Sequence, residues 1–383
     1  MTTTLRVSDP RDLIALAAHA LGFHPRDSLV LVSLRGERHE PGLVARVDLA
    51  ARPGGPRAAT GALAQRVARD GATGAVLFVH TDRTGPPGRP EHDDLVRAVR
   101  RDLAAEGVAL ADAWLVGAGR LRSYTCQQAC CPPEGQPLGD VAATLVGTEM
   151  VWRGSCVLAD QEEHRRAVRA RLAPAGAAAR RAAQRAARRP AGRAERLRAL
   201  ARWRDLLEAT TAGVRAGRSA DDLAADLLAP QAAGRLLAAV ADVRLRDAVL
   251  LSTVTGAGSA PERLAAGEED AGELSQALDA VLSRPGGPAP DPDEAEAARA
   301  LLEALARLAS GRRRAAPLAV LAWTSWWRGA GSEAAVQADL ALEVDPDCGL
   351  AQLVAEAVGR GVLPPWRERG SAGARPDGGS SAC

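Results

Sequence analysis

The sequence predicts an α/β N-terminal domain, built on a mixed, mostly parallel sheet that begins in a hairpin, followed by an all-α C-terminal region. Three observations carry this. Apolar runs of strand length stand at residues 29–34, 43–49, 75–80 and 110–116. Helical patterns separate the later runs, and helices alternating with buried strands indicate parallel pairing through crossovers. Beyond residue 160 the strand signal stops and only helical periodicity remains.

The first element is a helix from Pro10. Ser8 or Asp9 can cap it, and proline at the first helical position loses no hydrogen bond. Leu13, Ile14, Leu16, Ala17, Ala20 and Leu21 share one face, and Gly22 is a natural stop. The polar bend His24-Pro25-Arg26-Asp27 leads through Ser28 into the first strand. Residues 35–42, RGERHEPG, form a turn short enough to make the strand at 43–49 its antiparallel partner. Helices at 57–70 and 91–106 then bracket the strand at 75–80 and precede the strand at 110–116. A cysteine-rich segment, 123–135, and a short helix near 141–148 complete the domain, predicted to span 1–160.

Residues 161–194 read as an Arg-rich helix or linker, and 195–283 as a helical region with helices near 194–217, 220–228, 232–241, 245–252 and 273–283. A loop is expected at 255–261 and a Pro/Gly linker at 284–292. The segment 293–366 reads as a helical hairpin region, with helices near 294–309, 317–327, 332–343 and 349–359. Residues 367–383 form a Gly/Ser-rich tail expected to be disordered. Gly329, Ala334, Ala341, Leu342 and Pro346 stand at the small and apolar positions of a tetratricopeptide-like hairpin, of which a single unit is visible. Trp323 shares a helical face with Trp326 or Trp327, which is core spacing.

A chain of 383 residues is long enough for two or three domains. It contains no Lys and no Asn, so all 49 basic residues are Arg, as the codons of a GC-rich genome dictate. Arginine abundance therefore says little about nucleic acid, and a net charge of +2 argues against a globally basic binder. The run 165–194 carries ten Arg and no acid, while 262–303 holds eleven acids against three Arg, so the two can neutralise each other. No run of 18 apolar residues exists, and the N-terminus lacks a signal-type core; the expectation is a cytoplasmic protein without a membrane partner. Its six Cys would then be thiols, redox groups or metal ligands.

Strand directions suggest a site. With the hairpin antiparallel and the third strand parallel to the second, His24, Asp27 and Ser28 lie near Arg46 and Asp48. His80 and Asp82 arrive at the same edge, as do Gly117, Gly119 and Arg122. Ligands of open α/β sheets bind outside the carboxyl ends of strands. In this reading Arg46 and Arg122 hold an anionic group, Asp48 orients them, and Ser28 and Tyr124 donate hydrogen bonds. The plainer alternative is that Asp27 and Asp48 tie loops and His80 bonds to backbone. Gly117-Ala118-Gly119 begins a dinucleotide-type pattern, but Arg122 stands where a third glycine belongs, and nothing matches GxxxxGK[ST], HExxH or GxSxG.

The segment SYTCQQACCPPEG sets Cys126 and Cys130 at a spacing that zinc ligands use, with Cys131 as a third donor. A fourth ligand would have to come from His24, His80 or Cys156. The same thiols could supply a nucleophile, Cys126 or Cys131, with His80 as base and Asp82 or Asp48 orienting it. Cys130-Cys131 could be a redox pair, and three thiols packing a loop is the structural alternative.

LGFHPRDSLV, the later RVDL, RSYTC…CCPPEG and AWTSWWRG…DLALEVDPDCGLA together resemble an uncharacterised actinobacterial family, domain of unknown function 4192. The resemblance covers nearly the whole chain and brings no catalytic residues with it. It implies that Gly22, Pro25, Ser28, Arg46, Asp48, Ser123, Tyr124, Cys126, Cys131, Pro132 and Gly135 stand at motif positions, with Cys130 extra to the pattern. The functional expectation is a cytoplasmic ligand-binding or regulatory protein with a polar site at one sheet edge, taking a small molecule or a protein partner. A Cys-dependent enzyme and a helical interaction scaffold are the alternatives.

Overall fold

The computed structural model describes residues 9–49, 57–83, 85, 90–126, 128–187, 192–268, 279 and 285–368. The chain divides into two compact units, which meet in sequence between Gln161 and Glu162.

The N-terminal unit opens with α1 (Pro10–Leu21), where the Asp9 carboxylate accepts the Arg11 N–H and Gly22 ends the helix at φ 81°. Strands β1 (Ser28–Arg35) and β2 (Glu40–Asp48) form the antiparallel hairpin, and α2 (Arg57–Arg69) leads to β3 (Ala72–His80). Helix α3 (Asp93–Ala105) precedes β4 (Ala109–Gly117), and two short strands, β5 (Arg120–Ser123) and β6 (Gln136–Pro137), extend the sheet. The order is β2-β1-β3-β4-β5-β6. Only β3–β4 is parallel, so the sheet is mixed and the expectation of mostly parallel pairing fails. The reason lies in α2, which carries β3 across to the free side of β1. β3 still runs in the same direction as β2, with antiparallel β1 between them.

The two faces of the sheet are covered differently. Val30, Val32, Phe78, Trp114, Val116 and Leu121 pack against Leu13, Ile14 and Ala17 of α1. Helices α2 and α3 pack on each other and on the opposite face. β1 and β3 are buried almost end to end, which is why their sequences are nearly continuous apolar runs instead of alternating ones. Asp70, buried at the end of α2, ties the hairpin together. It accepts hydrogen bonds from Ser33 Oγ at 2.5 Å and from the Leu43 N–H at 3.0 Å. After β6 come a 3₁₀ turn (Val141–Ala143) and α4 (Leu145–Trp152).

Helix α5 (Gln161–Arg171) crosses the boundary, and the described residues of the second unit are otherwise helical: α6 (Ala177–Ala186), α7 (Arg193–Arg215), α8 (Ala220–Leu227), α9 (Pro230–Val240), α10 (Val243–Ser252), α11 (Ala260–Ala266), α12 (Pro292–Leu308), α13 (Ala315–Trp327), α14 (Gly331–Val344) and α15 (Gly349–Arg360). Helix α11 occupies part of the expected 255–261 loop; at seven residues it is too short to declare itself by periodicity. The expected helix at 273–283, apart from Asp279, and the expected tail beyond Glu368 lie outside the described residues.

One core joins α5 to α15, with Trp203, Leu200, Leu245 and Leu172 fully buried. Trp323 and Trp327 belong to it, stacked with ring centroids 5.2 Å apart. The Arg-rich run spreads over α5, α6 and the start of α7. Arg171 pairs with Glu303 and Glu333, Arg193 with Glu268, and Arg169 with Glu343, so three of its ten Arg meet carboxylates inside this unit. No single helix among the described residues is long and apolar enough to cross a membrane.

Candidate functional site

Sheet register fixes which of the predicted residues meet. Asp48, Ser28, His80 and Val116 form one transverse row across β2, β1, β3 and β4. Arg46, Val30, Phe78 and Trp114 form the next row on the same face, because side chains two residues apart along a strand share a face. The start of β1 and the ends of β2, β3 and β4 thus meet at one edge. Arg122 does not join them. It pairs with Leu115, in the intervening row of Leu29, Val47 and Val79, and so faces the other way. It lines a separate hollow of about 360 Å³ with Arg120, Pro133 and Glu134. Tyr124 is also elsewhere: its hydroxyl donates to the Glu91 carbonyl at 2.5 Å, just before α3, and burial holds its pKa above the ordinary value. Arg46 is ion-paired with Asp48 in its own strand and lies 5.3 Å over the Phe23 ring. A shared anion held by Arg46, Arg122 and Tyr124 is therefore not what this geometry builds.

What the edge does build is a cleft of about 570 Å³. The bend between α1 and β1 supplies His24, Arg26 and Asp27 to its wall, the end of β3 supplies His80, Thr81 and Asp82, and Asp140 comes from beyond β6. Each piece is anchored. The His24 N–H bonds to the Leu158 carbonyl at 2.9 Å, and the Thr81 hydroxyl donates to Asp27 at 2.9 Å. Asp82 accepts the Ala118 N–H, also at 2.9 Å, and thereby holds the β4–β5 turn. Arg11 reaches from α1 to the carbonyls of Pro137 and Leu138, at 2.7 and 2.9 Å, fixing the far wall. Gly117 makes the closest approach: a Cβ there would lie 1.8 Å from the Thr81 carbonyl oxygen.

His80 reaches this cleft from the core. Burial, then the neighbouring Arg46 and His24, push its pKa down to about 4, so the ring is neutral at pH 7. Its Nε2 and the Ser28 Oγ beside it in the row are buried, and neither has a hydrogen-bond partner among the described residues. Ser, His and Asp are neighbours here, but Ser28 stands between the other two, and Asp48 is engaged by Arg46. A nucleophilic triad needs the histidine bonded to both partners, and that relay is not formed. His24 is also held below its ordinary pKa, by burial and then by Arg26.

The thiols form a second cluster. Cys126 Sγ lies 3.7 Å from Cys130 Sγ, and Cys130 Sγ 4.0 Å from Cys131 Sγ. All three sulfurs lie within 4.8 Å of one another, and no His, Asp, Glu or further Cys among the described residues completes the group. Neither His80 nor His24 nor Cys156 is the fourth ligand, and no imidazole stands ready as a base. The Gln128 backbone N–H, then the adjacent thiols, lower the Cys126 pKa, while burial and then the same neighbours push Cys131 up to about 12. Sequence reasoning missed Thr81, Asp140 and the 138–142 wall of the cleft; only the β5–β6 extension, too short to read, brings them there.

Fold and site together define a mixed α/β unit with an acceptor-lined cleft at its strand ends, in a chain that also carries an α-helical unit. The chain belongs to the family described as Domain of unknown function (DUF4192), whose model matches residues 10–267 and 277–365. Neither the curated proteins nor the solved structures include a match to it.

Proposed function

We propose that the N-terminal unit binds a small ligand rich in hydrogen-bond donors, an amine or polyol in preference to an anion, in the strand-end cleft. One observation carries this: among the described residues, the lining sets the carboxylates of Asp27, Asp82 and Asp140 and two imidazoles against one cation, Arg26. With both imidazoles held below their ordinary pKa, the wall is acceptor-rich and negative at pH 7. His80 lines the cleft too, with its Nε2 buried behind the wall and without a hydrogen-bond partner among the described residues. Ligand sites of this kind combine a largely preformed hollow with a few convergent polar groups.

A Cys-dependent enzyme has less support, since no imidazole among the described residues joins the thiols. For the helical unit, the α13–α14 hairpin reads best as a packing element. Trp323 and Trp327 are buried, α15 packs against both helices, and the Trp366 indole N–H donates to the Trp327 carbonyl at 2.7 Å.

The test is a ligand screen by thermal shift and NMR, using amines, polyols and small anions, on the wild type and on the Asp27→Asn and Asp82→Asn variants. Donor-rich hits should weaken at least about tenfold in each variant, about 1.4 kcal/mol. Hits confined to anions, or hits indifferent to both substitutions, would reject the assignment.

A further inference from the structure

The cleft leaves the three thiols unexplained, and they lie in a segment built with some care. Ser123 Oγ accepts the N–H groups of Thr125 and Cys126 at 3.1 and 2.9 Å, and Thr125 Oγ1 donates to Asp112 of β4 at 2.8 Å. The Cys131 N–H closes a turn on the Gln128 carbonyl at 2.8 Å, and the Gln136 side chain at the start of β6 donates to the Cys130 carbonyl. Cys131 packs against the hydrophobic cluster beneath α1. The loop is thus fixed to β4, β6 and the core at both ends, and it turns its sulfurs toward one another without bonding them in pairs.

From this geometry we propose a binding site for one thiophilic d¹⁰ metal ion, zinc(II) or copper(I), held by Cys126, Cys130 and Cys131. Metal–sulfur bonds of about 2.3 Å place sulfurs about 4.0 Å apart around a trigonal ion and about 3.8 Å apart at three corners of a tetrahedron. The separations of 3.7 and 4.0 Å match either arrangement with little movement. An all-sulfur donor set selects soft ions over magnesium, calcium or manganese. No fourth protein donor joins the group among the described residues, so a tetrahedral ion would keep one position open to an external ligand. Cys130 is exposed, which leaves that side of the ion accessible. Each thiol releases its proton to solvent as its metal–sulfur bond forms.

The full-length, fully reduced protein is mixed with zinc(II) or copper(I), and two quantities are read. Native mass spectrometry gives the metal stoichiometry, and alkylation counts the reactive thiols. The chain has six Cys, so one bound ion should leave three to react. Cys126→Ser, Cys130→Ser and Cys131→Ser should each weaken binding by more than about 100-fold, beyond what loss of an outer-shell partner brings. The alkylation count on the wild type needs no variant to fold. One ion of either metal with those three thiols protected supports the site. Six equally reactive thiols in the presence of both metals would overturn it, as would binding that survives all three substitutions. A Cys126–Cys130 disulfide that air forms equally fast with and without metal would do the same.

Discussion

Gly117→Ala probes the joint on which the cleft depends. Gly117 does not need glycine's backbone freedom, since its φ is not among the positive ones, so the cost of a methyl group there is purely steric. The added carbon would sit 1.8 Å from the Thr81 carbonyl oxygen and 2.5 Å from its carbon, and both are backbone atoms that no rotamer change can move. Relief requires the end of β4 to draw away from the end of β3, which strains the 3.0 Å bond from the Thr81 N–H to the Val116 carbonyl. Overpacking a close contact costs about 1–3 kcal/mol, and a buried backbone bond left unmade adds about 1–3 kcal/mol. The expected sum is about 4 kcal/mol, and for a unit of this size it corresponds to roughly 8–16 °C in melting temperature. Calorimetry reads the melt, and hydrogen exchange on peptides 72–83 and 109–120 assigns the loss to this unit. Gly119→Ala is the control: its φ is 71° and nothing lies within 4 Å of its added carbon. Only the left-handed backbone penalty, about 1–2 kcal/mol, then applies. A Gly117→Ala protein melting within about 1 °C of wild type, or a costlier Gly119→Ala, would refute the steric argument.

Two further outcomes follow from buried polar groups. His80 has its pKa depressed from 6.5 to about 4 in the folded state, so below pH 6.5 the unfolded chain takes up a proton that the native one refuses. Stability is therefore lost as pH falls from about 6.5 to about 4, by about 3 kcal/mol in all at ~1.4 kcal/mol per unit. Denaturant titrations across that range should show a shallower decline for His80→Gln, and equal slopes would remove His80 as the cause. Asp70→Ala strips the acceptor from Ser33 Oγ in a buried site and leaves the Leu43 N–H with Ser33 Oγ as its one acceptor of the two, and should cost about 1–3 kcal/mol, read by the denaturation midpoint. A midpoint unchanged from wild type would show that the hairpin is held without it.

Strand ends and faces explain what was legible. The runs at 29–34 and 75–80 announced themselves because both faces of β1 and β3 are buried, so no polar alternation interrupts them. The convergence of Ser28, Asp48, His80 and Val116 was also within reach, because it depends on strand direction, and β3 runs as β2 does whichever strand it pairs with. Arg122 was misplaced for the opposite reason. A side chain's face changes with every residue, so its position relative to Arg46 depends on the β4–β5 register, which no local pattern encodes. The spacing of Cys126, Cys130 and Cys131 was plain, but their convergence comes from turns closed by Ser123 and Gln128.

By itself the sequence determined the longer elements, though not β5, β6 or α11: caps, apolar runs and the change from strand to helix near residue 160 are short-range consequences of propensity and burial. It also determined the family, through motifs spread along the chain. Only the tertiary structure decided that β3 lies against β1, that Arg122 and Tyr124 stand apart from Arg46, and that the cleft is walled by acceptors. Those facts rest on contacts between residues dozens of positions apart. Such contacts are chosen by the packing of the whole sheet against its helices, and no window of sequence contains them.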